Sequence, residues 1–338
     1  MKKSVFFGVV AATAMTAGFA SAATLDDVKA RGELLCGSNT GLTGFGAPDA
    51  NGNWVGFDVS LCRAVAAAVL GDPAKVKFVP TTGETRFTAL ASGEVDLLVR
   101  NSTWTFSRDS DLKLDFVGVN YYDGQGFMVK TDLGVSSAKE LDGATVCIQT
   151  GTTTELNLAD FFKFNNISYT PVTVQDDSEA QRQYLAGACD AYTTDASGLA
   201  ASRATMADPE NHIILPEIIS KEPLGPVVRH GDNQWGDIVR WTYYALLIAE
   251  EKGITKANIE EVAASSTDPE VRRLLGVEGD SGVMIGLDNA WAKNAIAANG
   301  NYGEIFEANI GASTPIGLAR GLNALWTQGG LQYAPPLR

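Results

Sequence analysis

Strand-length apolar runs alternate with helix-period runs along this chain, and that alternation restricts its fold more than any single residue does. Glu33 to Gly37 reads as a short strand entering the loop Ser38 to Gly46. A helix follows Gly56, with Val59, Cys62, Val65, Ala66 and Val69 on a 3.6-residue period and Asp58 as its expected N-cap. Gly71-Asp72-Pro73 ends that helix, Val76 to Val79 resumes as strand, Glu84 to Ser92 reads as helix and Val95 to Val99 as a buried strand. Units of this kind predict a mainly parallel sheet covered by helices. A Thr-rich segment, Asn101 to Arg108, then leads to an apolar strand ending at Val119 and an expected turn at Tyr121-Tyr122-Asp123-Gly124.

The theme restarts beyond that turn. Ala144 to Gln149 is a strand, Thr152 opens a helix to about Phe164, and Tyr169 to Val174 is a strand. Ser178 to Ala186 is helix, Ala191 to Thr193 strand, and Asp195 precedes a helix from Ala196 to Met206. Ile213 to Leu215 is a last short strand, the return falls near Pro223 to Val228, and a helix from Trp235 to Glu250 rejoins the first half. The boundaries are therefore read as residues 23–124 for lobe one, 125–222 for lobe two, 223–275 for the return, and 276–338 for a helical extension. Two crossings between lobes make a hinge and a cleft. Loops at the carboxyl ends of parallel strands face such a cleft, which places Ser38 to Thr40, Thr103 to Arg108, Thr150 to Thr153 and Asp195 around it.

Met1-Lys2-Lys3, the apolar run Val5 to Phe19 and Ala20-Ser21-Ala22 have the form of a secretory leader cut after Ala22. Removing 22 of 338 residues leaves 316, more than one core usually holds, and moves the formal charge from −14 to −16 as both lysines leave. That acidity argues against nucleic acid, whose phosphates need cationic neutralisation. Four cysteines in an exported chain predict two disulfides. Of three possible pairings, Cys36 with Cys62 and Cys147 with Cys189 keep each bridge within one lobe, leaving a hinge free to open. No C-x-x-C occurs and the histidines number two, His212 and His230, so no metal or other cofactor is expected.

The chemistry of the cleft loops centres on Arg108, Thr152 and Asp195. A guanidinium grips a carboxylate with two parallel bonds, and Thr103 and Thr105 add hydroxyls beside Arg108. Alone, Arg108 reads first as an exposed helix-start arginine pairing with Asp109 or Asp111. Gln149-Thr150-Gly151-Thr152-Thr153-Thr154-Glu155 ends a strand and opens a helix, so its N–H groups and dipole can face an anion. The same spacing suits a capping box between Thr152 and Glu155. Asp195 can receive an ammonium group or cap the following helix. Arg86 and Arg100 can meet an acidic ligand side chain or serve structure; Trp54 and Trp104 read as packing residues first. Tyr121 and Tyr122 either line the cleft or cover the hinge.

Taken together, Asn101-Ser102-Thr103-Trp104-Thr105-Phe106-Ser107-Arg108, Gln149 to Glu155, Gly187-Ala188-Cys189-Asp190-Ala191 and Gly56-Phe57-Asp58-Val59 resemble the periplasmic solute-binding proteins of family 3, which serve polar and general L-amino-acid ABC importers. The resemblance runs from Gly32 to about Leu275. Gly300 to Phe306 and Gly321 to Trp326 are similar to the general L-amino-acid branch. It implies an α/β fold of the type II periplasmic-binding-protein kind, with a two-strand hinge and ligand between the lobes. It also implies roles: Arg108 with Thr152 and Thr153 on the α-carboxylate, Asp195 and the Asn101 carbonyl on the α-ammonium, Thr103 on both. Ser38 and Asn39 would meet the variable end, where polar residues favour polar or acidic side chains. The implied function is capture of an L-amino acid by a periplasmic monomer that presents it to an ABC permease. The rival is an exported enzyme on the same scaffold, similar to cyclohexadienyl dehydratase, with Glu84 or Glu155 as the acid. No nucleophile–histidine pair supports it. A sensor domain is the third reading.

Overall fold

A computed structural model describes residues 23–338; the leader read at residues 1–22 lies outside the described residues. Among the described residues no helix is long and apolar enough to cross a membrane.

Lobe one opens with helix α1 (Thr24–Arg31) and strand β1 (Leu34–Ser38), then α2 (Phe57–Leu70), β2 (Val76–Pro80), α3 (Arg86–Ala91), β3 (Leu97–Leu98), α4 (Phe106–Ser110) and β4 (Leu114–Phe116). The expected cap of α2 is not the observed one. Gly56 holds the cap position at φ 138°, where a Cβ would meet the Phe45 carbonyl oxygen at 2.2 Å, so the helix starts one residue before Asp58. Asp58 is buried instead, accepting from the Asn101 amide at 3.1 Å and Asn120 Nδ2 at 3.3 Å. The expected turn at Tyr121 to Gly124 is also different: Tyr121–Asp123 is a strand, β5.

Lobe two follows with β6 (Gln125–Lys130), β7 (Ala144–Gln149), α5 (Thr153–Asn165), β8 (Tyr169–Val174), α6 (Asp177–Leu185), β9 (Ala191–Asp195), α7 (Ala196–Ala204) and β10 (His212–Ile214). The return is β11 (Glu222–Leu224), β12 (Val227–Arg229) and α8 (Asn233–Glu251). Each lobe carries a five-stranded sheet, ordered β2-β1-β3-β12-β4 in lobe one and β8-β7-β9-β6-β10 in lobe two. In each sheet the first three strands pair in parallel and the fifth runs the same way; β12 and β6 run against their neighbours. The expectation of mainly parallel sheets thus holds for the strand–helix–strand part and fails where the chain crosses between lobes. There a strand enters from the hinge, and no crossover helix sets its direction. β5 pairs antiparallel with β11, and these two strands are the hinge.

Cys36 on β1 is bridged to Cys62 on α2, and Cys147 on β7 to Cys189 just before β9. Each bridge therefore ties one helix or loop to the sheet of its own lobe. Lobe two has separate apolar clusters on its two sheet faces, around Phe127, Ile148 and Phe162 and around Met128, Tyr184 and Tyr192. The main cluster of lobe one is continuous with the extension: Trp291 and Ile296 of α9 (Trp291–Asn299) and Phe306 of α10 (Tyr302–Asn309) join Cys62, Val65 and Leu246. The extension also reaches the hinge, where Asn323 accepts from the Tyr122 amide at 2.7 Å and donates to its carbonyl at 3.1 Å. Tyr121 packs among Phe45, Phe57 and Phe306, so it covers the hinge as one of its two readings held.

The hinge strand carries a half-buried carboxylate, Asp123, which accepts from the Gly124 amide at 2.8 Å and from the Ser197 hydroxyl. Burial pushes Asp58 and Asp123 up to about 6, from an ordinary value of 3.8. Between those values the folded chain binds more protons than the unfolded one, so stability falls as pH rises through that window. The difference is on the order of 2–3 kcal/mol per group. Exposed carboxylates held low by hydrogen bonds, such as Asp190 on Thr145, act with the opposite sign below 3.8. The thermal midpoint is therefore expected to be higher at pH 5 than at pH 7.5, and the difference to shrink in Asp123→Asn. A midpoint that climbs steadily from pH 5 to pH 7.5 in scanning calorimetry contradicts this account. Loss of the Cys147–Cys189 bridge in a paired serine variant is expected to cost about 4 kcal/mol in denaturant titrations, from the chain freedom it restricts. An unchanged midpoint would show that the lobe-two sheet does not rely on it.

Candidate functional site between the lobes

The loop after β3 lies on the lobe-one wall because its backbone is tied down from below. Asn101 adopts φ 31°, a left-handed conformation that asparagine tolerates better than most residues, and the Asp58 carboxylate holds its amide. Thr105 caps α4 by accepting from the Arg108 amide at 3.3 Å. That turns the Arg108 side chain inward, where Nη1 donates to the Thr103 carbonyl at 3.0 Å and the guanidinium lies 4.9 Å from the Phe87 ring centroid. Arg86 sits 4.8 Å from the same centroid. Arg108 is thus buried and not the exposed arginine of its alternative reading. The balance lowers it to about 10: burial lowers it most, Glu222 and Asp195 oppose that, and Arg100 lowers it a little, so it stays cationic at neutral pH.

On the lobe-two wall, Thr152 is the N-cap of α5. Its hydroxyl accepts from the Glu155 amide at 3.2 Å and donates to the Gln149 carbonyl at 2.8 Å. The capping box is incomplete, since Glu155 bonds the Gly151 amide at 3.1 Å and not that of Thr152. The Thr153 and Thr154 amides open the helix, where no intrahelical carbonyl reaches them. Asp195 ends β9 and stands before α7, but its carboxylate makes no capping hydrogen bond. It is buried, and its pKa is held well above the ordinary carboxylate range by burial and by Asp123, Glu222 and Asp177, against the pull of Arg86.

These walls meet at a small cavity of about 20 Å³. Lobe one contributes Arg86, Arg100, Asn101 and Thr103; lobe two contributes Gln149, Thr152, Thr153, Thr154, Thr194 and Asp195. Five of the eight residues expected at the site therefore border one space: Asn101, Thr103, Thr152, Thr153 and Asp195. Arg108, Ser38 and Asn39 do not. Arg108 lies behind Thr103. Ser38 is buried with its hydroxyl unpartnered, and Asn39 Nδ2 donates to Asn101 Oδ1 and to Asp177 Oδ2, each at 3.1 Å. The Asn101 carbonyl, expected to face an ammonium, faces Arg86 Nη1 at 3.5 Å. A cavity this size has room for about one water molecule, so a larger guest enters only when the lobes part.

Glu222 had no part in the sequence reading. It is buried in the hinge strand β11 and accepts from Thr103 Oγ1 at 2.5 Å, Thr153 Oγ1 at 2.8 Å, Asn157 Nδ2 at 2.7 Å and Ser220 Oγ at 2.6 Å. The hydroxyls of Thr103 and Thr153, expected to donate to a ligand carboxylate, are given to Glu222. Among Lys221, Pro223 and Gly225 an isolated glutamate looks like a solvated loop residue, and nothing nearby in the chain signals burial. Trp54 stacks on Phe78 and Trp104 on Phe116, which is packing. Glu84 is exposed, and among the described residues no cluster of His, Cys, Asp or Glu could hold a metal. What the cleft offers is cationic donors on one wall, a buried carboxylate on the other, and free helix-start amides between them. That combination suits a small dipolar molecule.

The model of the bacterial extracellular solute-binding proteins, family 3, matches residues 34–271. The glutamate/glutamine/aspartate/asparagine-binding protein BztA of Rhodobacter capsulatus is 77% identical over 338 residues, covering all of both chains. The general L-amino acid-binding periplasmic protein AapJ of Rhizobium johnstonii is 59% identical over 342 residues, again across both whole chains. Among solved structures, an ABC transporter periplasmic binding protein from Brucella ovis with glutathione bound superposes with a TM-score of 0.91 at 57% identity, covering 94% of this chain and 100% of that one. With more than half of its length matched and whole-chain relatives of this identity, the chain belongs to the bacterial extracellular solute-binding proteins of family 3.

Proposed function

We propose that this protein captures L-amino acids, polar and acidic ones foremost, and delivers them to the permease of an ABC importer. The observation that carries the proposal is a buried, uncapped carboxylate, Asp195, sharing one interlobe cavity with buried arginines and with the free amides that open α5. An α-amino acid carries one cation and one anion on a single carbon, and this arrangement answers both. Arg108 and the Thr153 and Thr154 amides take the α-carboxylate; Asp195, with the Asn101 loop, takes the α-ammonium. Thr103 and Thr152 shape the walls around them, and Ser38 and Asn39 lie buried beyond the closed cavity. The names of two whole-chain relatives, one binding glutamate, glutamine, aspartate and asparagine and one binding general L-amino acids, support the ligand class. Glutathione on the Brucella relative supports it too, since a γ-glutamyl end carries the same α-amino and α-carboxylate groups.

In this reading lobe one, residues 23–124 and 223–275, holds the ligand first, and lobe two, residues 125–222, closes over it. Closure is a population shift driven by contacts that exist only when both walls touch the guest. The chain acts as a periplasmic monomer after its leader is cut behind Ala22. The role is binding and not catalysis, and no cofactor enters it.

Two outcomes test the reading. Saturating L-glutamate is expected to raise the thermal midpoint of the wild-type protein, by about 2.7 kcal/mol of added stability at a hundredfold excess over Kd. Arg108→Ala is expected to lose that response while its unliganded melting stays cooperative; a full response in the variant would remove Arg108 from the site. The second outcome concerns protons. Because burial raises Asp195 above the usual carboxylate range, meeting an ammonium group should lower it again. Calorimetric titration at neutral pH in buffers of different ionisation enthalpy should show net proton release on binding and no uptake. Equal heats in every buffer would mean that Asp195 does not receive the ammonium.

A further inference from the structure

We infer that Arg100 reads the far end of the ligand, donating to the side-chain carboxylate or carboxamide oxygen of glutamate, glutamine, aspartate or asparagine. The inference rests on the amino-acid-binding reading and assigns the residue that sets its preference. Arg100 is 1% exposed, borders the cavity shared with Asp195, and has two buried nitrogens, Nε and Nη2, without a hydrogen-bond partner. A guanidinium kept for structure normally satisfies its donors, because buried unpaired N–H groups of a cation are costly.

The other two arginines of the cleft have more of their donors engaged. Arg86 gives Nη1 to the Ser102 hydroxyl at 3.3 Å and Nη2 to the Gly151 carbonyl at 3.4 Å, leaving Nε alone unpartnered, and Arg108 gives Nη1 to the Thr103 carbonyl at 3.0 Å. The carboxylates nearest Arg100 in charge are Asp177 and Asp58, from α6 and α2, and after them Asp195. Asp58 is taken by Asn101 and Asn120, and Asp177 by Asn39 and, at 3.5 Å, the Tyr192 hydroxyl. They balance the charge of Arg100 without using the two donors named above. Nε–H and one N–H of Nη2 lie on the same edge of a planar group, so together they form a fork. A carboxylate fits that fork with two oxygens, and a carboxamide fits it with its one carbonyl oxygen. The same residue can therefore accept acids and their amides while giving no contact to an aliphatic side chain.

The test compares ligands that differ only at that end. L-Glutamate, L-glutamine and L-norvaline (the same carbon chain without distal oxygens) are titrated calorimetrically into wild type, Arg100→Met and Arg100→Lys, with norvaline measured by competition where direct heats are small. Arg100→Met is expected to weaken glutamate and glutamine by about tenfold or more, as loss of hydrogen bonds to a charged group implies, and norvaline by less than threefold. Arg100→Lys keeps the charge without the fork, so glutamine should suffer more than glutamate. It also serves should the methionine variant fail to fold. Norvaline falling in step with glutamate in either folded variant would overturn the assignment and make Arg100 a general support of the wall. Unchanged glutamate affinity in Arg100→Met, with Arg108→Ala silent, would overturn this inference alone. A wild-type protein that binds no amino acid would overturn the proposed function and this assignment with it.

Discussion

One carboxylate joins the three moving parts of this molecule. Glu222 sits in a hinge strand and accepts hydroxyls from Thr103 on one lobe and Thr153 on the other, with Asn157 and Ser220 completing its shell. Four donors around one buried carboxylate replace the water it loses, which is what makes such burial tolerable. Two of those donors come from opposite walls, so this full set exists only while the walls are together. The hinge therefore does more than connect. It supplies an acceptor that fixes the Thr103 and Thr153 side chains at their closed separation of 3.2 Å and leaves backbone amides and guanidinium groups to meet an anion.

Around that point the cleft concentrates charge of both signs out of water. Arg86, Arg100 and Arg108 are buried on the lobe-one side, Asp177, Asp195 and Glu222 are buried on lobe two and the hinge, and Asp123 is half-buried beside them. Burial is the largest influence on Arg86, Arg100, Arg108, Asp123 and Asp195, outweighing every single charge neighbour. Desolvated charges of this kind are poorly compensated by one another unless hydrogen bonds finish the pairing. Asp195 without a capping bond and Arg100 with two unpaired nitrogens are where that pairing is least finished. On the proposed reading, a guest with an ammonium at one pole and oxygens at the others would complete both and turn a cost of the folded state into selectivity for that guest.

Much of the scaffold was legible because strands and helices here obey their periods. Ala144–Gln149 and Tyr169–Val174 were read to the residue, being apolar and β-branched between clear glycine or asparagine stops. Asp195, Thr152 and Thr153 were placed correctly at strand and helix ends, since loop position follows from the strand–helix order. The errors share another cause: they involve tertiary partners far along the chain. Asp58 looked like a cap because capping is a local rule, yet its partners are Asn101 and Asn120. Tyr121 to Asp123 looked like a turn because its pairing strand lies about a hundred residues away, at Glu222 to Leu224. The same distance hid Glu222. Arg100, weighed for an acidic side chain or a structural role, had no local signal to separate the two, because unpaired donors are a property of packing and not of spacing.

The extension makes the two lobes unequal. Trp291, Ile296, Tyr302 and Phe306 extend the lobe-one core, and Gln332 Nε2 donates to the Val119 carbonyl at 3.3 Å while Asn323 pairs with both backbone groups of Tyr122. One hinge strand is thus held along its outer edge by the tail, and its partner β11 is free of that hold. Lobe two keeps its own two apolar clusters, bridged internally by Cys147 and Cys189. The main cluster of lobe one also takes in Ala200 and Ala201 of α7, so the lobes touch through apolar contacts away from the hinge as well. Rotation about the short two-stranded ribbon has to part those contacts, and the tail keeps one of the two strands fixed to lobe one while it does so.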